Sequence, residues 1–122
     1  MANRRPERAE WARRDVYATS SSFSAGDDLL TQALTYETRV AWVYIITPGD
    51  NTYLLISRED STDTTIRALR PATADTHVIE PRSDFDNPVA VLGSGKTLVI
   101  QPVNDGDYTV YINLTLYEHV SW

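Results

Sequence analysis

The clearest pattern in the chain is a strict alternation of apolar and polar positions near its C-terminal end. From Tyr108 to Leu116 the even-numbered positions are aliphatic or aromatic, and the odd-numbered positions carry Thr, Tyr and Asn. Because successive side chains of a strand point to opposite faces, this period of two predicts one long β-strand reaching about Val120. Its even-numbered face should close a hydrophobic core. That face consists of Tyr108, Val110, Ile112, Leu114 and Leu116.

Two pairs of apolar segments flank short tracts of turn residues. The stretch from Arg39 to Thr47 is apolar at both parities, which predicts a strand buried on both faces, either central in a sheet or covered by a partner. Pro48-Gly49-Asp50-Asn51 predicts a turn that returns the chain along Thr52 to Arg58, so these two strands should form a hairpin. Asn104-Asp105-Gly106-Asp107 predicts a second hairpin, between Lys96 to Val103 and the final strand.

Three shorter strands are expected between these pairs, at Thr64 to Arg70, Thr76 to Glu80 and Val89 to Leu92. Glu59 to Asp63 is expected to be a charged loop. No stretch inside the domain has a helical period. Roughly seven or eight strands, spaced about ten residues apart, predict an all-β fold, either a β-sandwich or a jelly roll. The order of the strands is left open, and an immunoglobulin-like topology is an alternative.

The N-terminal stretch differs from the rest of the chain. It has few large apolar residues and contains a tract rich in Ser, Gly and Asp. We therefore expect residues 1–28 to form an extended arm, with a short helical turn near its start, and residues 29–122 to form the sandwich domain. A frayed tail is the alternative to an arm held by a partner. The residues of the arm expected to contact a neighbouring subunit are Arg4, Arg5, Arg8, Trp11, Arg13 and Arg14.

The odd-numbered face of the final strand is a second expected contact surface. Protein interfaces favour Tyr, Trp and Arg. The residues expected to contact a partner there are Tyr111, Asn113, Thr115 and Tyr117. Together with Trp42, Tyr44 and Trp122, the two tyrosines of this face could alternatively form an aromatic platform for a sugar. The Thr and Asn residues between the tyrosines favour the subunit interface.

The composition of the chain argues against two classes of binding partner, nucleic acid and membrane. The net charge of −6 argues against nucleic acid as the main partner. The chain contains no cysteine, which excludes disulfides and thiolate metal sites and favours an intracellular site of folding. No apolar run approaches the ~18 residues of a membrane span, and the charged N-terminus lacks the apolar stretch of a secretory signal. We therefore expect no membrane partner.

No segment of the sequence has the complete pattern of a catalytic motif. Gly93-Ser94-Gly95-Lys96-Thr97 ends like a phosphate-binding loop, but Ala90 stands where that motif needs glycine and an apolar strand follows. Asp84-Phe85-Asp86-Asn87 and Asn104 to Asp107 cluster oxygen ligands without the spacing of a calcium loop. The two histidines have no partner at metal-ligand spacing. The sequence therefore predicts a protein that is not an enzyme, with no catalytic, cofactor-binding or metal-binding residues.

The segment from Leu98 to Glu118 resembles the closing hairpin of small virion proteins of tailed bacteriophages. The segment from Val40 to Ile56 is similar to the paired strands that precede it in such proteins. The resemblance covers roughly Tyr36 to His119 and includes no diagnostic motif, so no functional residue is carried over from it.

What the resemblance implies is a capsid decoration (cement) protein. Such a protein is a β-sandwich, often trimeric, that sits on the outer shell and clasps neighbouring capsid subunits through a terminal arm. The expected partners are then the major capsid protein or other virion subunits, with a homo-oligomer, preferably a trimer. The expected location is the virion, assembled in the host cytoplasm. The alternatives are a head–tail connector or tail component of a phage, and a carbohydrate-binding β-sandwich module.

Overall fold

The computed structural model describes residues 10–48, 51–70, 78–79 and 87–120. The described residues form nine β-strands. They are β1 (Trp11–Phe23), β2 (Leu30–Ala33), β3 (Thr38–Ile46), β4 (Tyr53–Glu59), β5 (Thr62–Leu69), β6 (Val78–Ile79), β7 (Ala90–Leu92), β8 (Thr97–Pro102) and β9 (Gly106–His119).

The strands form two antiparallel sheets that pack face to face. Sheet A has the order β1-β9-β3-β6, with β7 also paired to β3, and sheet B has the order β2-β8-β4-β5. Strands β6 and β7 pair with opposite ends of β3, so together they fill the place of one interrupted strand. Counted in this way, the order is that of an eight-stranded jelly roll. The predicted all-β sandwich is confirmed, and of the topologies left open the jelly roll is the one found.

The core lies between the two sheets and is built from their inward-facing aliphatic residues. Val110, Ile112, Leu114 and Leu116 of β9 are buried, and the half-buried Tyr108 packs against the core beside them, as the alternation predicted. From sheet B, Tyr53, Leu55, Leu98 and Ile100 face them and are fully buried. These residues are deeply buried because β4, β8 and β9 each have a neighbouring strand on both sides.

A β-bulge in β3 explains why this strand is apolar at both parities. Val40 pairs with Leu116 and Trp42 pairs with Thr115, so Ala41 is an extra residue on the β3 side. The bulge changes which parity faces inward. Val40 and Val43 are both buried in the core, whereas Trp42 points outward and is partly exposed. The predicted central place in a sheet is confirmed, but burial on both faces is wrong.

Both predicted hairpins are wrong. Strand β3 belongs to sheet A and β4 to sheet B, and β8 and β9 are divided in the same way. The turn residues between them therefore carry the chain from one sheet to the other. The one hairpin between consecutive strands of the described chain joins β4 to β5. Asp60 and Ser61 turn it with positive φ values of 52° and 68°, the mirror-image geometry that suits a two-residue hairpin. The charged loop predicted at residues 59–63 is this turn.

The sandwich begins earlier in the chain than the boundary predicted at residue 28 between arm and domain. Residues 11–23, which were assigned to an arm outside the sandwich, form β1 and pair with β9 from Trp11–His119 to Phe23–Gly106. The stretch from Trp11 to Phe23 is strand throughout, so this part of the predicted arm contains no helical turn. The residues pair in this way because Val16 and Ala18 alternate towards the core while their neighbours face solvent. Arg4, Arg5 and Arg8 lie outside the described residues.

Candidate binding face on sheet A

The outer face of sheet A brings three strands and most of the predicted contact residues together. We define this face by the odd-numbered residues of β1 from Trp11 to Ser21, by the odd-numbered residues of β9, and by Arg39, Trp42, Tyr44 and Ile46 of β3. The ladder of paired Cα atoms sets these residues in rows across β1, β9 and β3. The rows are Arg13–Tyr117–Arg39, Asp15–Thr115–Trp42, Tyr17–Asn113–Tyr44 and Thr19–Tyr111–Ile46.

Large aromatic side chains stand exposed on each strand of this face. Tyr17 is 71% exposed, Tyr111 51% and Trp42 46%. Apolar or aromatic patches that are contiguous and rimmed by polar groups mark interaction sites, whereas single exposed residues do not. Because the rings are held on a paired sheet rather than on loops, a ligand would meet them already in position.

Two adjoining grooves run between the rings. One encloses about 400 Å³ and is lined by Arg13, Asp15, Tyr17, Trp42, Tyr44, Asn113 and Thr115. The other encloses about 290 Å³ and extends towards Tyr111. The two share Tyr17, Tyr44 and Asn113, so this row lies at the centre of the face.

The polar groups of the larger groove are ordered by one another. The hydroxyl of Thr115 donates a hydrogen bond of 3.0 Å to Asp15 Oδ1, and Arg13 Nη2 lies 3.5 Å from the same oxygen. These contacts fix the Asp15 carboxylate beside the aromatic rings. Asn113 Oδ1 is buried and accepts no hydrogen bond from the described residues. The centre of the face therefore holds one acceptor whose hydrogen-bonding capacity is unused by the described chain.

A second cluster lies at the end of the face where β1 begins. The rings of Trp11 and His119 pack against each other with centroids 4.7 Å apart and planes tilted by 33°, and the Arg39 guanidinium lies 4.6 Å from the centroid of a Trp11 ring. His119 Nε2 is 3.3 Å from Glu10 Oε1. Trp11, expected to anchor the arm in a neighbour, is thus packed against its own sheet.

The structure places the last two arginines of the predicted arm on opposite faces of β1. Arg13 lies on the outer face, whereas Arg14 lies on the opposite face of β1, where its Nη1 is 3.3 Å from Glu118 Oε2. Of the residues predicted to contact a partner, those brought together on the outer face are Trp11, Arg13, Tyr111, Asn113, Thr115 and Tyr117. Thr115 is nevertheless buried among its neighbours.

Sequence reasoning missed Asp15 and Tyr17, since the stretch that contains them was assigned to an arm. The signal was present in the alternation of Asp15, Tyr17 and Thr19 with Val16 and Ala18. It was weak because Val16 and Ala18 are the only core-facing apolar side chains that this edge strand offers before Phe23.

The turn residues singled out for cation binding are used within the fold. Asp105 Oδ1 accepts a hydrogen bond from Ala25 N and Asp107 Oδ1 one from Ser22 Oγ, both at 2.8 Å. Residues 84–86 and His77 lie outside the described residues. In the described ranges no group of three or more His, Asp or Glu side chains is placed to hold a metal ion. The glycine-rich segment before β8 is a turn, with Gly95 at φ +82°, as predicted.

An ionic cluster on sheet B stabilises the fold away from this face. The Arg58 guanidinium is held by Asp28 at 2.8 Å and Asp63 at 2.6 Å. Gln101 Nε2 adds a hydrogen bond of 2.8 Å to Asp28. The hydrogen bonds from Arg58 hold the pKa of both carboxyls below their usual value, with the Gln101 bond adding to the effect on Asp28.

No protein-family model matches the chain, and no curated protein matches it significantly. None of the described residues belongs to a helix long and apolar enough to cross a membrane.

Proposed function

We propose that the chain is a non-enzymatic virion assembly protein that decorates and stabilises a capsid shell. The observation that carries the proposal is the exposure of Tyr17, Trp42 and Tyr111 on neighbouring strands of one rigid face. Such rings are typical anchors of protein interfaces. The resemblance to tailed-bacteriophage virion proteins supports a capsid as the partner. The jelly roll itself is shared by capsid and lectin domains, so it is compatible with this function without selecting it.

In this proposal the outer face of sheet A lies on the major capsid protein. The exposed rings fill apolar depressions of the shell, and the Asp15 carboxylate and the Asn113 amide meet polar groups at the centre of the contact. Arg4, Arg5 and Arg8 immediately precede β1 in the sequence. Once the face has docked, this basic segment is tethered beside the shell, and it binds at a lower entropic cost than a free peptide would.

Binding of purified protein to assembled shells tests the proposal. The double variant Tyr17→Ser/Trp42→Ser should bind at least about 10-fold more weakly, since interface aromatics commonly contribute a factor of this size or more. Tyr36→Ser is the matched control, because Tyr36 is partly exposed but lies outside the face. Undiminished binding of the double variant would exclude this face as the docking surface.

The role of the basic segment is tested by a truncation that leaves sheet A intact. Removal of residues 2–9 leaves β1 intact, whereas removal of residues 2–24 would delete the strand that pairs with β9. The shorter truncation should lower shell affinity and leave the unfolding midpoint unchanged.

The number of copies of the protein per virion distinguishes the possible roles within the particle. A number that covers the shell fits decoration, and one ring of subunits fits a connector or tail component.

A carbohydrate-binding module is the second candidate function, and the larger groove favours it. Flat rings of Tyr17, Trp42 and Tyr44 beside a carboxylate and an amide are the side chains that stack on and hydrogen-bond to sugars. A panel of soluble glycans, followed by tryptophan fluorescence, should produce a saturable change that Trp42→Phe reduces. The absence of any change across the panel would exclude this candidate.

A further inference from the structure

Strand β1 leaves one of its two edges without a partner among the described strands. It spans 13 residues at the end of sheet A, and its pairing with β9 is regular from Trp11 to Ser21. An edge strand presents a row of N–H and C=O groups that another strand can pair with. A long and regular edge is therefore a candidate interaction surface.

The middle of β1 lacks the features by which edge strands usually avoid such pairing. From Val16 to Ser21 there is no proline, no lysine and no charged residue. The strand is irregular only at its far end, where the register shifts between Ser21 and Phe23 and Ser22 has a φ of 59°. Its charged residues all lie at positions 13–15.

We propose that a second copy of this chain pairs its own β1 antiparallel to this edge, about a two-fold axis near Tyr17. The distribution of charge favours this orientation. Parallel pairing in register would place Arg13 and Arg14 beside the same residues of the partner, and like charges on adjacent strands are destabilising. Antiparallel pairing about Tyr17 sets Arg13 opposite Ser21 and Asp15 opposite Thr19.

The pairing joins the two copies of sheet A into one continuous sheet. The two Tyr17 side chains meet on the outer face as a cross-strand aromatic pair, which is a stabilising combination. The interface is self-complementary, as the two-fold symmetry of most protein dimers requires. It also doubles the outer face, whatever that face binds. The inference does not depend on the proposed function, and it predicts a dimer where the family resemblance implied a trimer.

Cysteine cross-linking at Tyr17 tests the geometry. The chain has no native cysteine, so Tyr17→Cys introduces a unique thiol. Under mild oxidation it should form a covalent dimer in high yield. Val91→Cys is the control, because Val91 is 53% exposed on β7, at the other side of sheet A. It should cross-link only at the low yield of random collision.

Charge substitutions at Thr19 test the register. Thr19→Glu would place a carboxylate opposite Asp15 of the second copy, whereas Thr19→Lys would place an ammonium there. Because each contact occurs twice in the dimer, Thr19→Glu should raise the dissociation constant roughly 2- to 30-fold. Thr19→Lys should leave it unchanged or lower it, and added salt should reduce the difference.

Sedimentation analysis across protein concentration gives the outcome for the unmodified chain. A monomer–dimer equilibrium, combined with the Tyr17→Cys cross-link and the charge asymmetry at Thr19, supports the proposal. A monomer at the highest concentration, or a trimer, contradicts it. So does a dimer that neither cross-links through position 17 nor distinguishes Glu from Lys at position 19, since it must use another surface.

Discussion

The ring of Phe23 occupies the space that a side chain on Gly106 would need. The two residues are paired at the end of the β1–β9 ladder, and a Cβ atom added to Gly106 would lie 2.7 Å from Phe23 Cε1. The same ring meets Tyr108 edge to face, with centroids 5.5 Å apart. This contact closes the core at the turn where β9 begins.

The substitution Gly106→Ala should therefore overpack this end of the core and lower the free energy of unfolding by about 1–3 kcal/mol. Urea denaturation provides the measurement. Gly93→Ala is the control, since nothing lies within 4 Å of a Cβ at that position, and its effect should stay below about 0.5 kcal/mol. Adding Phe23→Leu to Gly106→Ala should recover part of the loss. Equal stability of the two alanine variants would show that the ring moves aside without cost.

Asn51 connects the two turns that cross between the sheets. Its Nδ2 donates to the Asn104 carbonyl at 3.0 Å, and its Oδ1 accepts from the backbone N of Asn104 at 3.1 Å and of Thr52 at 2.8 Å. Because Asn51 is buried, Asn51→Ala should leave backbone groups without partners and cost about 2–3 kcal/mol. Asn104→Ala removes only an exposed side chain and should cost less than about 0.5 kcal/mol in the same urea titration.

The ionic cluster around Arg58 predicts a pH dependence. Since the pKa values of Asp28 and Asp63 are lowered in the folded chain, their contribution to stability is present above the unfolded pKa of about 4. It is lost as the pH falls through the lower, folded values. Arg58→Gln should thus be less stable than the unsubstituted chain at pH 7, and the difference should shrink as the pH falls below about 4. Thermal unfolding from pH 2 to pH 7 measures this. A difference that stays constant across the range would mean that Arg58 acts through packing alone.

Aspartate substitutions at two neighbouring positions of β9 test which face of this strand is buried. Ile112→Asp would bury an unpaired charge between the sheets and should cost about 3 kcal/mol or more. Tyr111→Asp places the same group on the exposed outer face and should cost less than about 1 kcal/mol. A cooperative, unshifted melt of Ile112→Asp would show that the face assignment is wrong.

The alternation in β9 was sufficient to predict both the strand and its buried face, because side-chain period depends on local geometry alone. The partner of each strand was not predictable in the same way. Asn104 to Asp107 has the composition of a hairpin turn, yet the chain there passes to the other sheet. Turn residues fix where the chain reverses, whereas the choice of sheet depends on packing against distant strands.

For the candidate face too, strand alternation was predictable from the sequence and strand pairing was not. Its β9 residues followed from alternation, and the aromatic character of Trp42 and Tyr44 was evident from composition. That Tyr17 joins them depends on the pairing of β1 with β9, which no local signal specifies. The bulge at Ala41 likewise reverses the parity of β3, so which of its apolar residues faces outward could not be read from period alone.

The pairing of β1 with β9 has a consequence for biosynthesis. Thr115 bonds to Asp15 across 100 residues of sequence, and the ladder around it joins the earliest described strand to the latest. During translation β1 leaves the ribosome long before its partner has been made. Sheet A can therefore be completed only after β9 has been released, and contacts of such long range slow folding. Until then the neutral stretch from Val16 to Ser21 has both edges open, which makes β1 the strand most vulnerable to misassociation in the nascent chain.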